Sequence, residues 1–212
     1  MKAIIFLAPP SAGKGTFAEY LKIKYNFESI STGNILRERA LKDENLANLM
    51  KTGALISDEI ILNIMKDKLA TMKNDFILDG VPRTLNQAKI LTNKLNELNI
   101  KFKVVYVNVD KDVLLNRVLG RATCPKCNRT YNLNIDAFKP LEDNICDDCK
   151  VSLVRREDDN EISFLKRLDE YNKNGEEVIK YYKSINNFNI IDNNSIDNTI
   201  AKKNLEEILN AD

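Results

Sequence analysis

The chain of 212 residues contains no histidine. This absence excludes every mechanism that needs an imidazole base or ligand, including Ser-His-Asp and Cys-His nucleophiles and zinc held by histidine. The chain also lacks an apolar run of membrane-spanning length, and its opening apolar run of about five residues is shorter than a signal-peptide core. These absences predict a cytoplasmic protein.

The chain also lacks an excess of either charge, because 32 Lys and Arg residues stand against 31 Asp and Glu residues, for a net charge of +1. Such a balance argues against nucleic acid or an anionic membrane as the main partner. The sequence shows no internal repeat and no flexible linker. With 43% hydrophobic and 30% charged residues, it is predicted to form one globular core with insertions.

The clearest local pattern lies at the start of the chain. The apolar run Lys2–Leu7 stops at Pro9-Pro10, and small residues lead through Gly13 into a predicted helix. Such a turn gathers unpaired backbone N–H groups and the positive end of a helix dipole, and Lys14 adds a full charge. The pattern predicts a phosphate-binding loop.

The sequence of this loop departs from the strict phosphate-loop pattern at two places. Ala8 stands in place of the first glycine, and Gly15 separates Lys14 from Thr16. An ordinary connection between a strand and a helix is therefore the alternative for these residues alone.

The alternation of predicted elements indicates the fold class. Further strands are predicted at 76–79, 102–109 and 188–192, with helices between them and a small helical excursion at 31–60. Strands that alternate with helices predict an α/β fold with a doubly wound parallel sheet. The residues predicted to face the core from the helices are Phe17, Leu21, Ile23, Ile60, Ile61, Ile64, Met65, Leu69, Ile162, Leu165, Leu168, Tyr171 and Val178.

A carboxylate, Asp79, ends the second predicted core strand. Ligands of open α/β sheets bind outside the carboxyl ends of the strands, so Asp79 is a candidate for the water shell of a bound Mg²⁺. Because Asp79-Gly80 is also a common turn sequence, a purely local role is the alternative.

All four cysteines lie in one stretch, as Cys124-x-x-Cys127 and Cys146-x-x-Cys149 around residues 128–145. This spacing is typical of a four-cysteine zinc site, and in a cytoplasmic protein metal binding is favoured over disulfides. Four thiolates fill a tetrahedral shell, which predicts a structural zinc. Acidic residues outnumber basic ones between the two pairs, which argues against a zinc ribbon that binds nucleic acid.

A series of short motifs runs along nearly the whole chain. In order they are Gly13-Lys14-Gly15-Thr16, Ser31-Thr32-Gly33 with Arg37, Asp79-Gly80-Val81-Pro82-Arg83-Thr84 with Gln87, Gly120-Arg121, the two cysteine pairs, Arg156-Glu157-Asp158-Asp159, and Arg167. This series resembles the adenylate kinase family, in its long bacterial-type form with a zinc-binding lid. The resemblance implies a P-loop core of residues 1–30, 61–121 and 159–212, an NMP-binding segment at 31–60 and a lid at 122–158.

The resemblance implies the reaction MgATP + AMP ⇌ 2 ADP in a monomer, with ATP, AMP and ADP as ligands, Mg²⁺ carried with ATP, and structural Zn²⁺. The implied catalytic residues are Lys14, Arg83, Arg121, Arg156 and Arg167. The implied ATP site is Ser11, Ala12, Gly13, Lys14, Gly15, Thr16, Arg121, Thr130, Tyr131 and Ser195. The implied AMP site is Thr32, Arg37, Ala54, Leu55, Ile56, Gly80, Val81, Pro82, Arg83, Gln87, Arg156 and Arg167. The implied metal ligands are Cys124, Cys127, Cys146 and Cys149 for zinc and, through water, Asp79 for Mg²⁺.

Two residues of the loop depart from the family pattern, because Ala8 and Ser11 stand where glycine is usual. An added Cβ carries a cost wherever the backbone needs a positive φ. The alternatives are a kinase that uses UMP, CMP or GTP, a regulatory nucleotide-binding protein without catalysis, and a zinc-ribbon nucleic-acid binder. The missing histidine is compatible with a kinase, since phosphoryl transfer depends on positioning and charge stabilisation.

Overall fold

In the computed structural model, which describes residues 1–52 and 56–211, a parallel sheet forms the centre of the molecule. Its strands are β1 (Lys2–Leu7), β2 (Glu28–Ser31), β3 (Phe76–Asp79), β4 (Lys101–Asn108) and β7 (Phe188–Asp192). They pair in the order β2-β3-β1-β4-β7, and every pair is parallel. The predicted α/β class is confirmed, and β1, which carries the predicted loop, is the central strand.

Eight α-helices lie in the described ranges. They are α1 (Lys14–Tyr25), α2 (Thr32–Ala40), α3 (Glu44–Lys51), α4 (Asp58–Leu69), α5 (Leu85–Glu97), α6 (Lys111–Leu119), α7 (Glu161–Ser184) and α8 (Thr199–Asn210). None of these helices combines the length and apolar character that crossing a membrane requires.

Alternate residues of β1 belong to two separate hydrophobic clusters, so both faces of the sheet are covered. Ile5 and Leu7 belong to the cluster that contains side chains of α4, α5 and α7. Ile4 and Phe6 belong to the cluster that contains side chains of α1, α6 and α8. A central parallel strand buried on both faces is expected to be apolar throughout, as β1 is.

Four side chains predicted to be buried are exposed. Ile23 is 78% exposed and Ile162 is 82% exposed, and Ile60 and Leu165 are also exposed. In each case a neighbouring residue occupies the core-facing position: Leu21 on α1, Ile61 on α4, and Phe164 on α7. A helix turns about 100° per residue, so residues one or two positions apart need not both face the core.

The stretch between α6 and α7 forms a small separate unit. β5 (Arg121–Thr123) and β6 (Thr130–Asn132) pair antiparallel, and Val154 bridges to Thr123. The buried side chains of this unit are Ala122, Cys124, Tyr131, Cys146 and Leu153. Two of these five are cysteines, so the unit has little apolar core of its own.

Candidate functional site

The predicted phosphate loop and Asp79 meet at the carboxyl edge of the sheet. In the pairing of β1 with β3, Phe6 lies beside Asp79, and in the pairing of β2 with β3, Ser31 lies on the other side of Asp79. The loop after β1, the turn after β3 and the start of α2 therefore leave the sheet at one edge. Ligands bind at this edge in open α/β sheets.

The loop between β1 and α1 contains two residues with positive φ, Gly13 at 93° and Ser11 at 64°. A Cβ on Gly13 would lie 2.8 Å from Nδ2 of Asn193, so this position requires glycine. The same Asn193 amide donates a hydrogen bond of 2.9 Å to the carbonyl oxygen of Ala12. This buried contact holds the loop against the chain that follows β7.

Ser11 combines two unfavourable features. A residue with a Cβ pays about 1–2 kcal/mol for a left-handed backbone. Its hydroxyl oxygen is buried without a hydrogen-bond partner among the described residues, which costs about 1–3 kcal/mol. Ala8, the other departure from the family pattern, is buried but does not have a positive φ. Of the two departures, Ser11 is therefore the one that carries backbone strain.

The first turn of α1 is open to an anion. Within the described ranges no side chain caps α1, and its first turn contains no acidic residue. The N–H groups and the positive end of the dipole therefore remain available for negative charge. A Cβ on Gly15 would meet no described atom within 4 Å, and Thr16 is half-buried in the same turn.

The side chain of Lys14 folds back over the loop. Its Nζ donates hydrogen bonds of 3.1 Å to the carbonyl oxygens of Ala8 and Pro9. Burial of the ammonium group lowers the pKa of Lys14 to about 8, and the charge of Asp79 opposes this shift. The cations that reinforce it are Arg83, Arg121 and Arg167. Residues from three other segments, at 79–83, Arg121 and Arg167, therefore share one electrostatic environment with Lys14.

Asp79 and Gly80 lie against the start of α2. Ser31 Oγ lies 3.3 Å from a carboxylate oxygen of Asp79, and the buried Thr32 donates a hydrogen bond of 3.3 Å to the backbone oxygen of Asp79. Ser31 is the residue before α2, and its hydroxyl bonds to Asp79 instead of capping that helix. Gly80 has a φ of 86°, and a Cβ there would lie 2.6 Å from Thr32 Oγ1. This turn therefore requires glycine.

Two arginines of the site are held by acids that precede α7. Nε of Arg121 donates a hydrogen bond of 2.7 Å to Asp159, and a second nitrogen of Arg121 contacts the other oxygen of the same carboxylate. Arg167 pairs with Asp158 at 2.6 Å. Bidentate pairing of this kind fixes the direction of a guanidinium group. Contacts within the chain therefore orient both arginines.

Arg37 and Arg156 belong to the same group of cations. Burial and the neighbouring Arg121 and Arg37 lower the pKa of Arg156 to about 9. Burial also lowers the pKa of Arg37, and Asp158 opposes this shift. One nitrogen of Arg37 donates a hydrogen bond of 2.6 Å to the side-chain oxygen of Asn34. The cluster therefore carries more positive than negative groups, as expected of a site for polyphosphate.

The turn after β3 leads to Arg83 and Gln87. Val81 and Pro82 are buried and joined by a cis peptide bond, and Arg83 is exposed with its Nε donating to the backbone oxygen of Gly80 at 2.9 Å. Gln87 is fully buried, and its side-chain oxygen accepts a hydrogen bond of 2.8 Å from the backbone N–H of Arg83.

The predicted residues just before α4 are only partly described. Ile56 is buried in the cluster that covers one face of the sheet. Ala54 and Leu55 lie outside the described residues. The predicted contacts of residues 54–56 with AMP stay predictions.

Arg117 was not among the predicted residues, yet it contacts the segment that contains Ser195. One of its nitrogens donates to the backbone oxygens of Asn193 at 2.8 Å and of Ser195 at 3.2 Å, and burial lowers its pKa. Ser195 itself is exposed, and its hydroxyl donates to Asp197. The available signal was that Arg117 lies in the last turn of α6, four residues before Arg121.

The predicted residues of the lid differ in exposure. Thr130 is exposed, whereas Tyr131 is 4% exposed. The Tyr131 hydroxyl lies 3.5 Å from Sγ of Cys146 and accepts a hydrogen bond from the backbone N–H of Asp147. The side chain of Tyr131 therefore belongs to the interior of the lid, and its contact with ATP stays a prediction.

The four cysteines form one cluster, as their spacing predicted. Their sulfur atoms all lie within 4.8 Å of one another, and those of Cys127 and Cys146 are 3.7 Å apart. A tetrahedral zinc with Zn–S bonds of about 2.3 Å has sulfur atoms about 3.8 Å apart. Although burial opposes it, hydrogen bonds from Tyr131 and from backbone N–H groups lower the pKa of Cys146 to about 6. The donor set and spacing fit a tetrahedral thiolate metal site.

Comparisons with known proteins agree with this geometry. The sequence model of the family described as adenylate kinase matches residues 6–187. An adenylate kinase of Mesoplasma florum is 41% identical over 98% of this chain and 99% of that protein. Adenylate kinases of Petrotoga mobilis and Thermotoga maritima are 39% and 38% identical, over 89% and 95% of each chain. The chain belongs to the adenylate kinase family, nucleoside monophosphate kinases that transfer a phosphoryl group reversibly between ATP and AMP.

Proposed function

We propose that this chain catalyses MgATP + AMP ⇌ 2 ADP at the carboxyl edge of the sheet, with the residue roles given below. The observation that carries this proposal is the shared environment of Lys14, Asp79, Arg83, Arg121 and Arg167, which come from four segments of the chain. Phosphoryl transfer needs little covalent chemistry from the protein and much stabilisation of charge on the transferring group. A cluster of fixed cations with one carboxylate supplies this stabilisation.

The donor nucleotide is proposed to bind at the loop formed by residues 11–16. The uncapped N–H groups of α1 bind phosphate oxygens, and the ammonium group of Lys14 moves from the carbonyl oxygens of Ala8 and Pro9 to the phosphates. Thr130, Tyr131 and Ser195 contact the rest of ATP. Arg117, which donates to the backbone beside Ser195, supports the same end of the nucleotide.

Mg²⁺ enters with ATP as part of the substrate. Thr16 in the first turn of α1 and Asp79 at the end of β3 are proposed to face the ion and its waters. Mg²⁺ prefers oxygen ligands and keeps several of its waters, so a hydroxyl and a single carboxylate suit it. The ion neutralises phosphate charge during transfer.

The acceptor is proposed to bind between α2 and the turn after β3. Arg37 and Arg83 bind the AMP phosphate, and Thr32, the 54–56 segment, residues 80–82 and Gln87 surround the nucleoside. Arg156 contacts the acceptor from the lid side. The lowered pKa of Arg156 supports this arrangement, because the charge of Arg37, in the 31–60 segment, is one of its causes after burial and Arg121.

Arg121 and Arg167 are proposed to stabilise the transferring group. Because Asp159 and Asp158 already orient them, little reorganisation is needed when phosphate arrives, which is how preorganised charges lower a barrier. Lys51 pairs with Glu157 at 2.8 Å, which links the end of α3 to the segment before α7. Closure of these segments over the substrates excludes water, which would otherwise hydrolyse ATP.

The cysteine cluster is proposed to hold a structural Zn²⁺. Four thiolates leave no open position for catalysis, and the lid has little other core. Zinc supplies tetrahedral bonds that tie the two cysteine turns together when it is bound. The lid is proposed to span 122–158 and the NMP-binding segment 31–60, and the remaining residues form the core.

The cysteine cluster supports the proposed cytoplasmic location, because metal–thiolate sites are favoured over disulfides in reducing compartments. The chain is proposed to act as a monomer, as the resemblance to the adenylate kinase family implies. The balanced net charge of +1 supports small nucleotides, and not nucleic acid, as the ligands.

A coupled assay of ADP formation from MgATP with AMP, CMP, UMP, GMP or no acceptor tests the proposal. We expect fast turnover with AMP, far slower turnover with the other acceptors, and almost no hydrolysis without one. Turnover with UMP or CMP above that with AMP would favour another nucleoside monophosphate kinase. Folded protein that binds ATP without turnover would support the regulatory alternative.

Ser11→Gly is expected to stabilise the chain by about 1 kcal/mol, because it removes a Cβ from a left-handed backbone and a buried hydroxyl without a partner. For a chain of this size the melting temperature should rise by about 2–4 °C in thermal unfolding. The KM for ATP should be unchanged or lower.

The matched control for Ser11→Gly is Ala12→Gly. Ala12 lies in the same loop without a positive φ and is fully buried, so glycine there should lower the melting temperature. A fall in melting temperature for Ser11→Gly itself would show that the loop is not strained at this residue.

A further inference from the structure

The carboxylate of Asp58 joins the start of α4 to the start of α5. Asp58 is the first residue of α4. Its oxygens accept hydrogen bonds from Thr84 at 3.0 Å, from the amide of Asn86 at 2.9 Å and from the amide of Gln87 at 2.7 Å. Three side chains therefore converge on one half-buried carboxylate. Although burial opposes it, these hydrogen bonds lower the pKa of Asp58, so the group is ionised.

The contact with Gln87 continues to Arg83. The Gln87 amide nitrogen donates to Asp58, and its oxygen accepts from the backbone N–H of Arg83 at 2.8 Å. Thr84 contacts both Asp58 and Gln87. Its hydroxyl donates a hydrogen bond to Asp58, and as the N-cap of α5 it accepts one from the backbone N–H of Gln87. Asp58, Gln87 and Arg83 thus form one continuous chain of hydrogen bonds.

This chain fixes which way the Gln87 amide points. The backbone N–H of Arg83 is a donor and needs the amide oxygen, while the carboxylate of Asp58 is an acceptor and needs the amide nitrogen. A reversed amide would place donor against donor and acceptor against acceptor. Each buried polar group left unpaired costs about 1–3 kcal/mol. Without Asp58, only the Arg83 contact would select the observed orientation.

We propose that Asp58 is a positioning residue of the acceptor site, which holds Gln87 and, through it, the backbone of Arg83 in the geometry that binds AMP. This inference rests on the proposed function of Arg83 and Gln87. Asp58 also stands where the 31–60 segment meets α4. The contact therefore ties that segment to the arginine proposed to bind the AMP phosphate.

A purely structural role would have a different signature from a positioning role. If Asp58 only stabilised the contact between α4 and α5, its loss would lower the melting temperature without changing the KM for AMP more than the KM for ATP. If it positions Gln87 and Arg83, its loss raises the KM for AMP and leaves the KM for ATP almost unchanged. The split between the two KM values distinguishes the roles.

The test is Asp58→Ala, assayed with AMP varied at saturating MgATP and with MgATP varied at saturating AMP. The KM for AMP should rise about tenfold, which corresponds to about 1.4 kcal/mol, and the KM for ATP should change less than twofold. Asp58→Asn keeps one oxygen that can accept from Gln87, so its KM for AMP should stay within about threefold of the wild-type value.

Glu59→Ala is the matched control, because Glu59 is an exposed acid in the same first turn of α4. It removes the same charge and introduces the same side chain, so both KM values should stay near those of the wild type. Asp58→Ser is the second variant if Asp58→Ala does not fold. Serine keeps a small polar side chain at this half-buried position, but its hydroxyl ends farther from Gln87 than the carboxylate does, so the same rise in the KM for AMP is expected.

Wild-type protein is assayed first. Absence of transfer to AMP by the folded wild type would overturn the proposed function. With an active wild type, an unchanged KM for AMP in Asp58→Ala or Asp58→Ser, or an equal rise in both KM values, would overturn the positioning role. A loss as large in Asp58→Asn as in Asp58→Ala would overturn the hydrogen-bond chain as its cause.

Discussion

Lys14→Ala is expected to lower kcat for ADP formation by about a thousandfold. The ammonium group is the only proposed contact that supplies a mobile full charge from within the phosphate loop, and removing one preorganised donor from a reacting group has an effect of this size. Stability should not fall, because the charged group is partly buried and its pKa of about 8 lies below the usual value for lysine. The measurements are steady-state kinetics and a thermal unfolding curve.

Lys22→Ala is the control for this variant, since Lys22 is an exposed lysine of the same helix. Its turnover should match that of the wild type. A Lys14→Ala variant with wild-type turnover, or one with a much lower melting temperature, would contradict the assignment of Lys14 to the phosphates.

The pH dependence of the wild-type enzyme gives a second measurement of the same charge. In the free enzyme Lys14 is protonated below a pH of about 8 and loses its charge above it. The value of kcat/KM reports ionisation of the free enzyme, so kcat/KM for MgATP should be level near pH 7 and fall as the pH rises through about 8. Because the pKa of Lys14 is about 8 in the folded chain and 10.5 in the unfolded chain, the charged side chain lowers the free energy of unfolding below pH 8. This penalty should decrease as the pH rises from 8 to 10.5.

Features that are encoded in a short segment were predictable from the sequence. The phosphate loop follows from one apolar strand, a run of small residues and a helix start. The cysteine cluster follows from two pairs at a known spacing. Asp79 follows from its place at the end of an apolar strand. In each case local chemistry determines the geometry, and the structure brings the residues to the expected place.

Features that depend on the meeting of distant segments were less predictable. The hydrogen bond between Asp58 and Gln87 joins residues 29 apart, and no pattern in either segment indicates it. Arg117 reaches the backbone of Ser195, 78 residues away, because α6 packs beside the chain after β7. Periodicity also failed at Ile162, since Ser163 and Phe164 are the residues of the first turn of α7 that face inward. Strand order and helix packing decide such contacts.

Cys127→Ala is expected to release the metal and to unfold the lid before the core. The wild type should contain about one zinc per chain, and the variant almost none, because three thiolates leave an incomplete shell. Zinc binding is part of the folding energy of a unit with so small a core. Amide exchange in residues 122–158 should therefore become fast while the strands β1, β3 and β4 stay protected. Turnover should fall at least tenfold, since Arg121 directly precedes the lid and Arg156 lies within it.

Lys126→Ala is the control for Cys127→Ala, because Lys126 is an exposed neighbour in the same turn that is not a ligand. It should keep its zinc, its amide protection and its turnover. If Cys127→Ala retained zinc and an ordered lid, the lid would not depend on the complete four-cysteine site for its stability. If it lost zinc while the lid stayed protected, the few buried side chains around Tyr131 and Leu153 would suffice to fold the lid. The order in which lid and core lose protection therefore measures how much of the lid's stability comes from the metal and how much from its side chains.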